Sequence, residues 1–169
     1  MRPLRAWIGL GANLGQPLAQ LQSAIGALSQ LPDTLLLAVS PLYGSAPVGP
    51  ADQPDYLNAA ALLQTSLPPH ALLRELQAIE NAHDRVRERH WGPRTLDLDL
   101  LLYDADIIAT PELKVPHPEL SHRAFVVLPL LDLEPGLSLP DGSALKGLLP
   151  ALSGQGIHPV AASGWWQGG

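Results

Sequence analysis

Cysteine is absent from the 169 residues, which excludes disulfides and thiolate metal sites and fits a reducing compartment. Aromatic residues make up only 5%, with a single phenylalanine, so packing falls to Leu and Ala, and Tyr56, Trp91 and Phe125 stand outside that pattern. Positive charge is short as well. Ten Lys and Arg against sixteen Asp and Glu give a formal net charge of −6, and such a field attracts neither nucleic acid nor an anionic membrane. No apolar run approaches the ~20 residues of a membrane span. The start, Met1-Arg2-Pro3-Leu4-Arg5 followed by apolar residues 6–10, imitates a signal peptide, but Gly11, Asn13 and Gly15 interrupt it before an apolar stretch of useful length forms. The expectation is a soluble cytoplasmic monomer whose partners are small molecules, with no nucleic acid and no membrane among them.

A mass of 18.0 kDa and 46% hydrophobic residues suit one domain with a real core. It is expected over residues 1–152. Residues 153–169 read as a Gly-rich tail without periodicity, in which Trp165 and Trp166 either dock on the body or stay mobile.

Residues 6–10 read as a buried strand, and residues 17–31 as a helix with Leu18, Leu21, Ile25 and Leu28 at helical spacing. Residues 34–40 suit a strand, and a long loop rich in Pro and Gly covers residues 44–55. Residues 56–65 form the next strand, and Pro68-Pro69 opens a helix carrying Leu72, Leu73, Leu76 and Ile79. The order βαββαβ is the split βαβ of ferredoxin-like α+β folds, an antiparallel sheet against two helices. Elements after residue 103 would cover its second face and give an α/β/α three-layer arrangement. Among them are a helix capped by Ser121 that runs to Leu128, where Pro129 bends or ends it, a short strand at 137–139, and a turn at Pro140-Asp141-Gly142 before a last small helix.

The last strand, over residues 94–103, places Leu96, Leu98, Leu100 and Leu102 on one face and Asp97 and Asp99 on the other. At the ~7 Å between same-face neighbours, two carboxylates repel by about 2 kcal/mol at an effective dielectric near 20. A cation should sit there, and oxygen ligands of this kind suit Mg²⁺ arriving with substrate phosphates. Just upstream, Arg85, Arg87, Arg89 and Arg94 are four of the ten Lys and Arg in the chain. Guanidinium forks match phosphate oxygens. Each feature has a plain alternative, solvated arginines in a loop and a wet edge strand. Together they divide labour as phosphoryl transfer requires, carboxylates for metal and arginines for phosphate.

Tyr56 and Asn58 share a strand face, an aromatic plate beside an amide that can read a heterocycle or simply pack across the sheet. The stretch Gly9-Leu10-Gly11-Ala12-Asn13-Leu14-Gly15 matches neither a dinucleotide fingerprint nor a phosphate loop, and reads as a structural turn. His117, between Pro116 and Pro118, reads as a loop histidine; no histidine has the spacing of a zinc ligand.

The strings Asp52-Gln53-Pro54-Asp55-Tyr56-Leu57-Asn58-Ala59-Ala60, Arg85-Val86-Arg87 and Trp91-Gly92-Pro93-Arg94-Thr95-Leu96-Asp97-Leu98-Asp99 resemble the 6-hydroxymethyl-7,8-dihydropterin pyrophosphokinases of folate biosynthesis. Val115-Pro116-His117-Pro118 and Arg123-Ala124-Phe125 fit as well, and the likeness runs in order from residue 6 to residue 141. The resemblance implies a ferredoxin-like fold and transfer of diphosphate from ATP to the hydroxymethyl oxygen of the reduced pterin, with AMP leaving. By matching positions, Asp97 and Asp99 would hold two Mg²⁺ ions, and Arg85 and Arg94 would be the catalytic arginines, Arg94 also binding ATP. Arg87, His117 and Arg123 would bind phosphates or ribose. Gln77, Glu80, Leu100 and Lys114 would line the nucleotide site, Leu100 through its backbone. The pterin would lie between Tyr56 and Phe125, with Ser45, Asn58 and the backbone of Val48 on its polar edge. Trp91 would close over both substrates, and loops 44–55 and 82–94 would exclude water. The competing readings are a kinase of another small heterocyclic alcohol, which would release ADP, and a ferredoxin-like binding module, which would need the surface aromatics and basic sheet this chain lacks.

Overall fold

The structure is a computed structural model that describes residues 3–12, 16–45, 56–84, 96–162 and 164–167. Strand β1 (Leu4–Ala12) is central. Along one edge it pairs antiparallel with β4 (Tyr56–Thr65), from Leu4 opposite Thr65 to Ala12 opposite Leu57. Along the other it pairs antiparallel with β5 (Asp97–Tyr103). The far edge of β4 carries β2 (Thr34–Val39) and β3 (Leu42–Ser45) one after the other. A last strand, β8 (Ile157–Ala161), pairs with β3. Among the described residues the sheet has six strands, and a small hairpin of β6 (Ile108–Ala109) and β7 (Lys114–Val115) stands beside it.

Period-two alternation in β1 divides the core. Ala6, Ile8, Leu10 and Ala12 face helices α1 (Pro17–Leu28) and α2 (Pro69–Asp84), whereas Trp7 faces α3 (Ala124–Leu133). Helix α1 opens on Pro17, whose missing N–H costs nothing in the first turn, and buries Leu21, Ala24, Ile25 and Leu28 at three- and four-residue intervals. Leu18, expected on that stripe, is instead exposed. Helix α2 buries Leu72, Leu76 and Ile79 as expected. Removing a side chain such as Leu76 from water is worth roughly 1.5–3 kcal/mol, so tertiary burial holds these helices in place more than propensity does.

Four further expectations are corrected. Leu102 does not share a face with Leu96, Leu98 and Leu100: Ile8 lies opposite Leu100 while Trp7 lies opposite Leu102, so Leu101 is an inserted bulge residue. Beyond it, Leu101 and Leu102 both join the core under α3, and Tyr103 returns to the first core. Gly9 and Gly11 belong to β1 and not to a turn; residues 13–15 lie outside the described residues. The long loop does not begin at Gly44, because Leu42–Ser45 is strand β3. The Ser121-capped helix is a short 3₁₀ turn, Leu120–His122, followed by α3, which starts at Ala124 and runs through Pro129 to Leu133. The tail docks: β8 lies within residues 153–169, Trp165 Nε1 donates to the Ser40 carbonyl at 2.8 Å, and Gln22 Nε2 donates to the Trp165 carbonyl at 2.8 Å. No helix among the described residues is long and apolar enough to cross a membrane.

Candidate active site

The face of the sheet turned toward α3 carries two cross-strand rows at its open end. Asp97, Gly11, Asn58 and Tyr43 form one; Asp99, Gly9 and Ala60 form the other. Both aspartates therefore stand on strand β5, separated from the side chains of β4 by a strip of β1 that bears glycines. With adjacent strands about 4.8 Å apart, the Asp97 and Asn58 backbones lie roughly 10 Å from each other across a bare backbone floor. A Cβ on Gly11 would sit 3.2 Å from Asn58 Oδ1, and one on Gly9 would sit 3.2 Å from Leu101 Cδ1. The floor is flat because those two atoms are missing.

Over this floor opens a cavity of about 660 Å³, within the size range of small-ligand sites. Of the residues singled out in the sequence, it brings together Ser45, Tyr56, Asn58, Asp97, Asp99, Arg123 and Phe125. Asn58 is buried and its Nδ2 donates to Ser45 Oγ at 2.8 Å. That bond leaves the Asn58 carbonyl oxygen as an acceptor over Gly11 and the Ser45 hydroxyl hydrogen as a donor. The Arg123 guanidinium carbon lies 5.5 Å from the Phe125 ring centroid, within cation–π range. Tyr43, next to Asn58 in its row, donates a short hydrogen bond to the Asp132 carboxylate on α3. Burial first, then that bond and the Asp132 charge, push the Tyr43 phenol above its ordinary pKa, so it stays a donor.

A second group gathers along the free edge of β5, where α2 and β7 pack. Glu80, buried, accepts the Leu98 backbone N–H at 2.8 Å, filling a ladder position that an edge strand would leave open. Gln77 is exposed one turn earlier on α2, the Leu100 side chain lies in the core, and exposed Lys114 donates from Nζ to the Thr110 carbonyl at 3.0 Å. The His117 amide donates to the Leu101 carbonyl at 3.0 Å, which pins the loop to β5. His117 Nδ1 accepts the Glu119 amide at 3.1 Å, so the neutral ring carries its proton on Nε2, 3.9 Å from Asp99 Oδ1. None of these five residues lines the cavity with Asp97, although His117 reaches its rim through Asp99. Val48, Arg85, Arg87, Trp91 and Arg94, with most of the two loops expected to close, lie outside the described residues.

Sequence reasoning missed Gly9 and Gly11, Glu119 and His122, and the segment from Gln155 to Ile157, all of which line the cavity. Two glycines spaced by two ahead of a helix did carry a signal, since glycine inside a strand marks close approach of a ligand or of another backbone. Nothing local marked Gln155.

A model of the 7,8-dihydro-6-hydroxymethylpterin-pyrophosphokinase (HPPK) family matches residues 7–135. The chain belongs to that family. Among its HPPK relatives, the 2-amino-4-hydroxy-6-hydroxymethyldihydropteridine pyrophosphokinase of Pseudomonas aeruginosa is 53% identical over 154 residues, covering 91% of this chain and 95% of that one. The enzyme of the same name from Haemophilus influenzae is 48% identical over 146 residues, 86% of this chain and 91% of that one. Among solved structures, the wild-type Plasmodium falciparum HPPK-DHPS with pteroate superposes with a TM-score of 0.70 at 13% identity, over 89% of this chain and 42% of that one. An HPPK-DHPS in complex with substrates gives 0.68 at 12% identity, over 89% and 43%. The chain spans less than half of those longer proteins, and at such identity they show the fold alone: helices against an antiparallel sheet, as in HPPK.

Proposed function

We propose that this HPPK family member transfers the diphosphate of ATP to 6-hydroxymethyl-7,8-dihydropterin, giving AMP and the pterin diphosphate, a step of folate biosynthesis. The supporting observation is the convergence, on one glycine-floored sheet face, of the Asp97–Asp99 pair and the Asn58–Ser45 pair. In the reaction the hydroxymethyl oxygen bonds to the β-phosphorus, the bridge from that phosphorus to the α-phosphate breaks, AMP keeps the bridging oxygen, and the hydroxyl hydrogen leaves as a proton.

Asn58 and Ser45 present an acceptor and a donor at the polar edge of a flat ring, and Tyr56 and Phe125 supply aromatic faces in the same cavity. This arrangement orients the hydroxymethyl arm toward the aspartates across the glycines, and orientation is a large part of such catalysis. Arg123 brings a fixed positive charge to the cavity, suited to phosphate oxygens. In this reading Arg85, Arg87 and Arg94 complete the phosphate contacts, Trp91 and Val48 the enclosure, and Gln77, Glu80, Leu100, Lys114 and His117 the nucleotide side.

Asp97 and Asp99, half-exposed at the cavity and both on one strand face, fit two Mg²⁺ ions: hard cations take carboxylate oxygens and complete their shells with phosphate and water. Bound there, magnesium would neutralise phosphate charge as the diphosphate transfers. The fold is, on this proposal, ferredoxin-like with α3 and the following elements as a third layer, and the protein acts as a cytoplasmic monomer. Incubation with Mg-ATP and the reduced pterin, followed by anion-exchange separation of nucleotides, is expected to give AMP in step with pterin diphosphate. ADP as the product would establish an ordinary kinase instead, and unchanged ATP would overturn the proposal.

A further inference from the structure

The family model stops at residue 135, yet the chain returns to the cavity twenty residues later. The sheet order β5-β1-β4-β3-β8 puts the acid pair at one end of the pocket and the C-terminal strand at the other. Ile157 of β8 lies opposite Ser45 of β3, so the residues entering β8 stand beside the Asn58–Ser45 pair. Gln155 is among them, and its side-chain amide reaches back across the cavity wall. Its Oε1 accepts the Ala124 N–H at 2.8 Å and its Nε2 donates to the His122 carbonyl at 2.8 Å.

These two contacts bracket Arg123. The residue is extended, φ −128° and ψ 114°, and it is the point at which the Leu120–His122 turn gives way to α3. Arg123 offers no side-chain cap to the helix, so the Ala124 N–H, one of the orphan donors of a helix start, finds its acceptor in Gln155. A primary amide is well suited to this place. It supplies the acceptor and the donor that a neighbouring strand would otherwise present, and it carries no charge into a site that must hold polyphosphate. The backbone of Arg123 fixes where its guanidinium goes, and that group lies over the Phe125 ring.

We propose that Gln155 is a positioning residue for the acceptor end of the active site. It locks Arg123 and Phe125 against the C-terminal strand, so residues outside the matched family segment set the width of the pocket. This rests on the diphosphotransferase reading only in taking the pterin as the ligand that feels the clamp.

The test compares Gln155→Met, which keeps the length of the side chain and removes both polar contacts, with Gln155→Glu, which restores an acceptor for Ala124 but no donor for His122. The pterin KM is expected to rise by about fivefold to tenfold in the Met variant, on the scale of one or two net hydrogen bonds; the Glu variant, whose charge weighs on substrate binding, is read by Ala124 exchange, which should stay closer to the parent than in the Met variant. Asp97 and Asp99 stand on β5, at the opposite end of the sheet from β8, so the loss should fall on KM, for ATP through Arg123 as well as for the pterin, more than on kcat. Amide exchange measured without substrate should show faster exchange at Ala124 in the Met variant. A pterin KM unchanged in both variants, a fall in kcat with KM unmoved, or an Ala124 amide that exchanges freely in the parent would each overturn the clamp. If the parent forms no pterin diphosphate, the functional reading fails, while amide exchange still decides whether Gln155 holds the turn.

Discussion

Adding one methyl group at Gly11 should weaken pterin binding while leaving the protein folded. The new Cβ would lie 3.2 Å from Asn58 Oδ1, closer than such contacts settle, so the amide must rotate or move by a few tenths of an ångström. Asn58 has little freedom, since it is buried and its Nδ2 is engaged by Ser45 at 2.8 Å. Rotation would push the side chain off its rotamer at about 0.5–1.5 kcal/mol and weaken a buried hydrogen bond worth about 0.5–1.5 kcal/mol. For stability there is an offset: glycine inside a strand costs roughly 0.5–1 kcal/mol relative to alanine, and Gly11→Ala recovers that. The pterin has no such offset, because it loses both the acceptor geometry and the flat floor. The expected result is a melting temperature within about 3 °C of the parent and a pterin KM raised by about 5- to 30-fold, equivalent to 1–2 kcal/mol. Gly9→Ala is the internal control. Its Cβ would meet Leu101 Cδ1 at 3.2 Å, the far end of a flexible side chain, so its effect on pterin binding should be several-fold smaller. Equal effects of the two substitutions, or no change in pterin KM for Gly11→Ala, would refute the idea that the bare strip of β1 seats the ligand.

Asp97→Asn and Asp99→Asn should each reduce turnover by at least about 100-fold, as loss of electrostatic groups at a transferring phosphoryl commonly does. Near-parental rates in either variant would dismiss the acid pair. Tyr43→Phe should cost about 1 kcal/mol of stability at neutral pH by removing the bond to Asp132. The sign of its pH dependence follows from a phenol pKa raised on folding. The contribution is complete below the ordinary tyrosine value of about 10 and is lost as pH rises through the higher folded value. Paired denaturant titrations at pH 7 and above pH 10 should therefore converge, and a gap that widens with pH would contradict the burial and hydrogen-bond account.

The acid pair was legible because a strand with period two leaves no doubt where alternate residues point, and Leu98 and Leu100 fix which face is apolar. The same rule failed two residues later. In Leu100-Leu101-Leu102 every residue is apolar, so nothing in the pattern reveals that Leu101 is an insertion and that the alternation restarts after it. Gly9 and Gly11 were misread because glycine signals a turn and an open strand floor with equal strength; only the pairing partners, Asp99 with Ala60 and Asp97 with Asn58, distinguish the two. Strand β8 was hidden by Pro159, which weakens any strand reading yet is tolerated at a sheet edge. Its partner helps conceal it as well, since Gly44 belongs to a run that looks like loop. A side chain there would put a Cβ 2.7 Å from His158 Nε2, so glycine lets the last strand approach. Gln155 could not have been found from periodicity at all, because its two contacts reach residues more than thirty positions earlier.

The supernumerary leucine in β5 splits one ribbon into two independently addressed segments. Upstream of it, even-numbered side chains answer to the helices and odd-numbered ones to the cavity; downstream, Leu102 sides with Leu101 under α3, and Tyr103 reaches back across the first core to donate its hydroxyl to the Leu67 carbonyl at 2.6 Å. The cavity end can thus keep its two charges in step without dictating what the other end must bury. An edge strand becomes both a wall of the cavity and a rivet between the layers.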